Sequence, residues 1–461
     1  MTQPAEQIEA ALALARPALE RIAAAGGYGL LVGGAVRDAL LGRPNSDIDI
    51  EVYGLGPAEL AAALSPLGSA HAVGRSFGVI KLQLADGVAL DVALPQRRSR
   101  PVAGARGTIA APDPTLTPRE ASARRDFTIN ALAITAEGEL LDFWGGADDL
   151  RQGRLRHVSD SFGDDPLRVL RAVQFSARFG FQLDPGTAAL CRSLLPQAQG
   201  IASERIWGEW QKWASARHPM AGLRTLDASG WLALYPELAA LQGCQQPPEY
   251  HPEGDVWMHT CYVCESAAAI AEREGLGDEA RRTLVLAALC HDLGKPATTT
   301  HERGRIRSPG HAEAGAPLAE ALLARMGAFA HVVAQVLPLV REHMSHFEKP
   351  RARTVRRLAA RLAPATMEQW AQLVEADRSG RPPLPPENPA ATFLAYARDL
   401  AVAIAPPQPL LTGRALLAAG YAPGPALGAV LRAAYEAQLD ERFATPEEAL
   451  GWALAAYPAE R

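Results

Sequence analysis

The sequence predicts an α+β chain: a small mixed α/β head at the N-terminal end, followed by all-helical domains. Strands are signalled by alternation. Ile48, Ile50 and Val52 alternate with Asp47, Asp49 and Glu51, and residues 79–84 and 88–94 alternate in the same way, the period of half-buried strands. A helix is signalled between the apolar run 30–32, readable as a buried strand, and Asp47: residues 35–41 form a short segment stopped by Gly42 and Pro44. Beyond the head the legible segments are helical, one begun at Pro166, one over 201–213 and a long apolar one over 283–290.

At 461 residues the chain should hold about three domains. Its 48% apolar content and mean hydropathy of −0.05 fit a soluble globular protein. No apolar run approaches the ~20 residues of a membrane span. The N-terminal stretch carries acids and no basic-then-apolar signal, so a cytoplasmic protein without a membrane partner is expected. Five cysteines, an odd number, argue against a disulfide framework. The net charge of −5 argues against a broadly basic nucleic-acid binder. There are only four lysines, Lys81, Lys212, Lys295 and Lys349, so nearly all positive charge is arginine, which suits phosphate forks and base stacking. Any RNA contact should be a local basic track on an acidic body.

Residues 1–28 read as an alanine-rich amphipathic helix packed on the core. Gly33 and Gly34 then allow close backbone approach to a ligand, and the helix after them offers free N–H groups to an anion such as a triphosphate. Arg37 is placed to add a charged fork to the same phosphates. Asp47 and Asp49 share one strand face, where two carboxylates repel; a hard divalent cation such as magnesium is the usual reason to align them. The runs 79–84 and 88–94 flank Asp86-Gly87, a hairpin signal. Asp91, out of phase with Leu90, Val92 and Leu94, is either a third carboxylate of that set or a surface residue. Residues 97–117, rich in Gly, Pro and Arg, read as a mobile loop near substrate.

Further motifs follow. In residues 124–131 helical spacing would put Asp126 and Asn130 on one face, a pair able to hold a ribose. Gly145 and Gly146 precede Asp148 and Asp149, either of which would cap the next helix. Asp164 and Asp165 stand ahead of Pro166, and Arg168 and Arg171 share a helix face. In the second half, His259, His291-Asp292 and Asp377 have the residue types and order of an HD phosphohydrolase. Such nitrogen and carboxylate ligands suit manganese, nickel, iron or magnesium. His311 and His343 are extra candidates for a two-metal site. Cys261 and Cys264 read as core packing, and 245–252 and 382–389 as linkers.

The run Gly33-Gly34-Ala35-Val36-Arg37-Asp38, followed by Asp47 and Asp49, resembles the polymerase-β superfamily, specifically class II tRNA nucleotidyltransferases: CCA-adding enzymes and bacterial poly(A) polymerases. The resemblance is carried by residues 28–240. It implies a nucleotidyltransferase using CTP and ATP on a tRNA 3′ end, with Asp47 and Asp49 on magnesium and Asp91 beside them. Gly33, Gly34, Arg37 and Arg125 would meet the triphosphate, and Asp126 and Asn130 the ribose. Asp164, Asp165 and Arg168, with Arg171 nearby, would form the amino-acid template that reads the base edge. Asp164 departs from the usual Glu there. Gly145 and Gly146 would lie at the hinge between head and neck. Some proteobacterial CCA-adding enzymes carry an HD domain after the neck, as this arrangement does. The expected division is 1–140 head, 141–240 neck, 241–390 HD domain and 391–461 helical tail, as monomer or homodimer. The alternatives are a poly(A) polymerase, a CC- or A-adding specialist, and, in a different class, an HD phosphohydrolase with a non-catalytic RNA-binding head.

Overall fold

The computed structural model describes residues 3–73, 79–85, 87–98, 110–302 and 304–458. Asp86 of the expected hairpin and residues 99–109 of the expected loop lie outside them. The chain divides into two compact units, residues 1–201 with 224–231, and residues 202–223 with 232–461.

The first unit is built on a mixed sheet. Its strands are β1 Tyr28–Val32, β2 Ile48–Tyr53, β3 Gly68–Val73, β4 Val79–Leu84 and β5 Ala89–Ala93. After β6 Gln96–Arg98 and β7 Ala110–Pro112, which pair with each other, β8 Ala133–Ile134 and β9 Leu140–Leu141 complete it. Among the described residues the sheet order is β3-β4-β5-β2-β1-β8-β9, and β2–β5 is its parallel pair. The predicted alternation holds: Ile48, Ile50 and Val52 are buried, and the hairpin pairs β4 with β5. Helix α1 Pro4–Ala24 covers one face through Leu12, Ala15, Ala18, Leu19 and Ile22, joined by α2 Gly34–Leu40 and α3 Pro57–Leu64.

Then come α4 Pro118–Ser122, α5 Gly146–Gln152 and α6 Leu167–Phe179, with β10 Arg154–Leu155 and β11 Gln182–Leu183 as a small parallel pair, and α7 Pro185–Ser193. Neither expected aspartate caps α5. Asp142 does, accepting from the N–H groups of Gly146 (2.8 Å) and Ala147 (2.9 Å), while Asp149 is buried against Arg154, Arg156 and Thr128. The close approach there requires glycine, since a Cβ on Gly146 would lie 2.2 Å from the Thr128 carbonyl oxygen.

The second unit is helical. It contains α8 Ser203–Ala214, part of α9 Pro219–Ala228, α10 Pro236–Ala239, α11 Val256–Arg273, α12 Asp278–Cys290, α13 Lys295–Thr298, α14 His311–Arg325, α15 Ala330–Glu342, α16 Ala352–Leu362, α17 Met367–Ser379, α18 Ala391–Asp399, α19 Gly413–Ala418, α20 Pro425–Leu439 and α21 Pro446–Ala456, with the short ribbon β12 Thr300–Glu302 and β13 Arg305–Arg307. Its buried centre is α12, whose Thr283–Cys290 stretch is enclosed throughout, packed on α11, α15 and α17. Cys261 and Cys264 are buried in α11 and unbridged, as expected of packing residues. No described helix is long and apolar enough to cross a membrane.

Candidate active site

In the head, register brings the acids together. Asp49 pairs with Asp91 across the parallel β2–β5 ladder and with Val32 of β1, so both carboxylates stand on one sheet face beside the Gly33 turn. Gly33 has φ +71°; a Cβ there would meet Arg125 Nη1 at 3.0 Å and Asp49 Oδ2 at 3.5 Å. Turn, carboxylate and guanidinium thus converge on one spot. Burial pushes the Asp49 carboxyl above its usual range, and Asp91 and Asp47 push it further against the opposing Arg125. Lys81 lies 3.2 Å from Asp91, an exposed pair, and Asp47 is exposed. The donors are hard oxygens whose mutual repulsion a divalent cation would relieve, so the set fits magnesium. It is not drawn within 4.8 Å as the histidine groups below are.

Three neighbouring expectations are corrected. Arg37 is not a free fork: it is 4% exposed. Its Nε and Nη2 bind Asp38 Oδ1 at 2.9 and 2.8 Å, and Nη1 donates to Asn130 Oδ1 at 2.6 Å. Second, residues 124–131 form no α-helix. Phe127 is extended (φ −123°, ψ 148°) and fully buried, so its side chain drives a turn followed by one 3-10 turn over Thr128–Asn130. Asp126 and Asn130 still meet, at 3.0 Å, but both are buried. Third, that pair is not a free one, because Arg171 already binds Asp126 Oδ2 at 2.7 Å. Burial raises the Asp126 carboxyl, but Arg171 and hydrogen bonds from Asn130 and Phe127 hold it below the usual range.

Asp38, which the sequence reading left without a role, is the hub here. Its Oδ2 accepts from Asn45 (2.9 Å) and Arg178 (3.1 Å) while Oδ1 holds Arg37. Arg171, Phe175, Arg178 and Phe179 lie on one face of α6, and the Arg37 guanidinium sits 4.8 Å from the Phe179 ring centre. The template candidates sit at the start of the same helix, Arg168 in its first turn and Asp164 and Asp165 just ahead of it. Arg168 donates to the carbonyls of Ser161 and Arg124, both at 2.7 Å, Asp165 accepts from Leu167 N–H at 3.1 Å, and Asp164 is exposed.

The second unit gathers His259 of α11, His291 and Asp292 just after α12, His311 at the start of α14, His343 after α15, and Asp377 of α17. His259 Nε2 lies 3.1 Å from Asp377 and 3.6 Å from Asp292 Oδ2, and His291 Nε2 lies 3.1 Å from the same oxygen. On the other oxygen, Oδ1, His311 and His343 approach to 3.4 and 3.9 Å. Asp292 therefore stands between two clusters. The rings are oriented from behind: the Nδ1 atoms of His291, His311 and His343 contact the carbonyls of Ala288 (2.7 Å), Ser308 (2.8 Å) and Val340 (2.7 Å). A carbonyl accepts, so each neutral ring carries its proton on Nδ1 and a lone pair on Nε2. His311 and His343 then face each other lone pair to lone pair at 3.1 Å, and the buried His291 Nε2 has no hydrogen-bond partner. Buried, convergent lone pairs and carboxylates fit divalent metal. Burial opposes charge on Asp292, but positive charge beside it, Lys295 at 2.6 Å, holds its carboxyl well below the usual range, and burial pulls His343 down to about 3.

Sequence reading missed part of this centre. Residues 245–252 are not a mere linker: His251 is buried, and beyond it Glu253, with no side-chain exposure, lies 2.9 Å from His251 Nδ1 and 2.8 Å from His259 Nδ1. His259 sits inside a helix where backbone carbonyls are already committed, so a side chain takes the place that carbonyls fill for the other three. The Pro and Gly around Glu253 masked it. Arg381 (2.6 Å from Asp377) also went unread.

Family models match the chain over residues 30–156 (Poly A polymerase head domain), 180–241 ("Probable RNA and SrmB- binding site of polymerase A") and 256–377 (HD domain). The chain is thus a nucleotidyltransferase with a polymerase-β-type head, joined to an HD domain. The Multifunctional CCA protein of Nitrosococcus oceani is 38% identical over 403 residues, 85% of this chain and 92% of its own. That of Stenotrophomonas maltophilia is 39% identical over 364 residues, 76% and 86% of the two chains. The chain belongs to the multifunctional CCA protein family. In fold it resembles the Bacillus stearothermophilus CCA-adding enzyme in complex with CTP (TM-score 0.65, 22% identity, 99% and 98% covered). It also resembles the Thermotoga maritima CCA-adding enzyme complexed with tRNA (TM-score 0.56, 21% identity, 95% and 93% covered).

Proposed function

We propose that this protein adds CCA to the 3′ end of tRNA, taking CTP and ATP as donors, and that its HD domain is a metal-dependent phosphohydrolase acting on 2′,3′-cyclic or terminal phosphates. The terminal hydroxyl attacks the α-phosphorus and pyrophosphate leaves. The observation that carries the reading is the convergence of Asp49, the Gly33 turn and Arg125, with Asp91 in register beside Asp49. Asp47 and Asp49 hold magnesium, with Asp91 supporting them; when bound, the ion supplies Lewis-acid stabilisation of phosphate charge. Gly33 and Gly34 admit the triphosphate to the backbone, and Arg125 binds it. Arg37 acts behind them, holding α2 to Asn130. Asp164, Asp165 and Arg168 read the base, Arg168 exchanging its carbonyl contacts for the ring acceptors. Arg171 fixes Asp126, and through it Asn130, under the ribose. No covalent intermediate is needed, since alignment and electrostatics suffice.

In the HD centre His259, His291, Asp292 and Asp377 form one metal-binding group, and His311 and His343 extend it through the other Asp292 oxygen, for manganese, nickel, iron or magnesium. Removing a 3′-phosphate or cyclic phosphate would free the hydroxyl that the head requires. We assign 1–140 to the head, 141–240 to the neck, 241–390 to the HD domain and 391–461 to the tail, in a cytoplasmic monomer or homodimer. The test is to incubate tRNA ending at the discriminator base with each nucleotide alone and together, and to sequence the products. Full CCA is expected. Poly(A), CC alone or A alone would overturn the specificity, and no addition by a folded enzyme would overturn the head assignment.

A further inference from the structure

A cavity of about 530 Å³ opens beside the HD cluster, with His311 in its wall. That volume is in the range of small-ligand pockets, enough for one nucleotide and far too little for folded RNA. Its charges are unequally committed. Arg361 makes a two-pronged contact with Glu342 at 2.8 and 2.9 Å, so that pair neutralises itself. Arg341 is exposed on the cavity lining, and no carboxylate among the described residues pairs with it. Glu313 and Glu348 also line the space. As acceptors only, they suit hydroxyl and amino groups rather than phosphate. A ligand with one anionic group and several neutral donors matches this lining, which is the chemistry of a nucleoside carrying phosphate.

We propose that this cavity is the substrate cleft of the HD centre, that it takes a single phosphorylated nucleotide or RNA terminus, and that Arg341 binds the phosphate. The proposal rests on the HD reading above and adds to it a binding site and a specificity residue. Arg341 is on the surface and makes no ion pair among the described residues, so replacing it leaves the fold undisturbed. The full-length protein is assayed with adenosine 2′,3′-cyclic monophosphate, by hydrolysis and, separately, by equilibrium binding. Arg341→Ala and Arg341→Glu should weaken KM and binding by about ten-fold or more, the scale of one hydrogen bond to a charged group. Arg341→Lys should recover part of the loss, and bound metal and CMP addition to tRNA should match wild type. Unchanged KM and binding in Arg341→Glu overturn the cleft. If the wild type binds the nucleotide through Arg341 but neither holds metal nor hydrolyses it, the HD reading fails and the cleft stands. A wild type that neither hydrolyses nor binds the nucleotide overturns the cleft.

Discussion

Removing the Asp38 carboxylate should unfold the head more readily than removing any of the proposed magnesium ligands. Asp38 and Arg37 are 3% and 4% exposed at the side chain and meet at 2.8 Å. Asp38→Ala leaves a guanidinium enclosed without its counter-charge, which costs about 3–5 kcal/mol. The lost hydrogen bond from Asn45 adds about 1 kcal/mol. The contact to Arg178, whose side chain is 48% exposed, adds at most about 1 kcal/mol. Against a total stability of about 5–15 kcal/mol for a domain, this is a large fraction. The chain has two compact units, so one global midpoint is not informative; hydrogen exchange of amides in β1, β2 and β5 across a urea series reads the head alone. Pairing Asp38→Leu with Arg37→Met should restore most of the loss, because the cost lies in an uncompensated charge rather than in the absence of the pair. A change below about 1 kcal/mol in Asp38→Ala would refute the hub.

The other expectations concern chemistry. Asp47→Ala and Asp49→Ala should each lower CMP addition by orders of magnitude with the fold retained, since metal charge stabilisation is worth several kcal/mol; near-normal incorporation would sink the assignment. Arg125→Ala should raise KM for CTP and ATP alike, whereas Arg168→Ala should chiefly erode discrimination between CTP and UTP, and equal slowing of all nucleotides would move Arg168 to the phosphate contacts. His291→Ala combined with Asp292→Ala should abolish bound metal and hydrolysis while CCA addition persists, measured by elemental analysis and the tRNA assay. Glu253→Ala should lower metal affinity about 10–100-fold, with Glu253→Gln retaining part of it, the range for residues that orient a ligand from behind.

What could be read in the sequence was local. The alternation at Ile48, Ile50 and Val52 fixed which face Asp49 takes, because side-chain direction has period two. Whether Asp91 joins it stayed open between a third carboxylate and a surface residue, because parallel pairing joins segments some 40 residues apart and nothing within either run encodes the partner. His291-Asp292 was legible because it ends an apolar helix. Residues 124–131 depart from the helix that i, i+4 spacing suggests because burial of Phe127 imposes an extended residue. Arg37 misled differently. Its motif placed it near the phosphates, and only the three-dimensional structure shows that Asp38 and Asn130 occupy its nitrogens. Glu253 was hidden by turn residues, since proline and glycine say nothing about where a neighbouring carboxylate points.

One helix joins two jobs. The first turn of α6 carries Arg168, with Asp165 just ahead of the helix, and the face that follows grips Asp126, Arg37 and Asp38 through Arg171 and Arg178, with Phe175 and Phe179 beneath the guanidinium groups. The helix therefore acts as a ruler whose far end is anchored on α2 and Asp126. Its rise of ~1.5 Å per residue sets the reach of the end proposed to read the base. Inserting or deleting a residue between Arg168 and Arg171 would rotate that end by about 100° relative to its anchor. Side chains at the reading end can change without moving the anchor, but the number of residues between the two cannot.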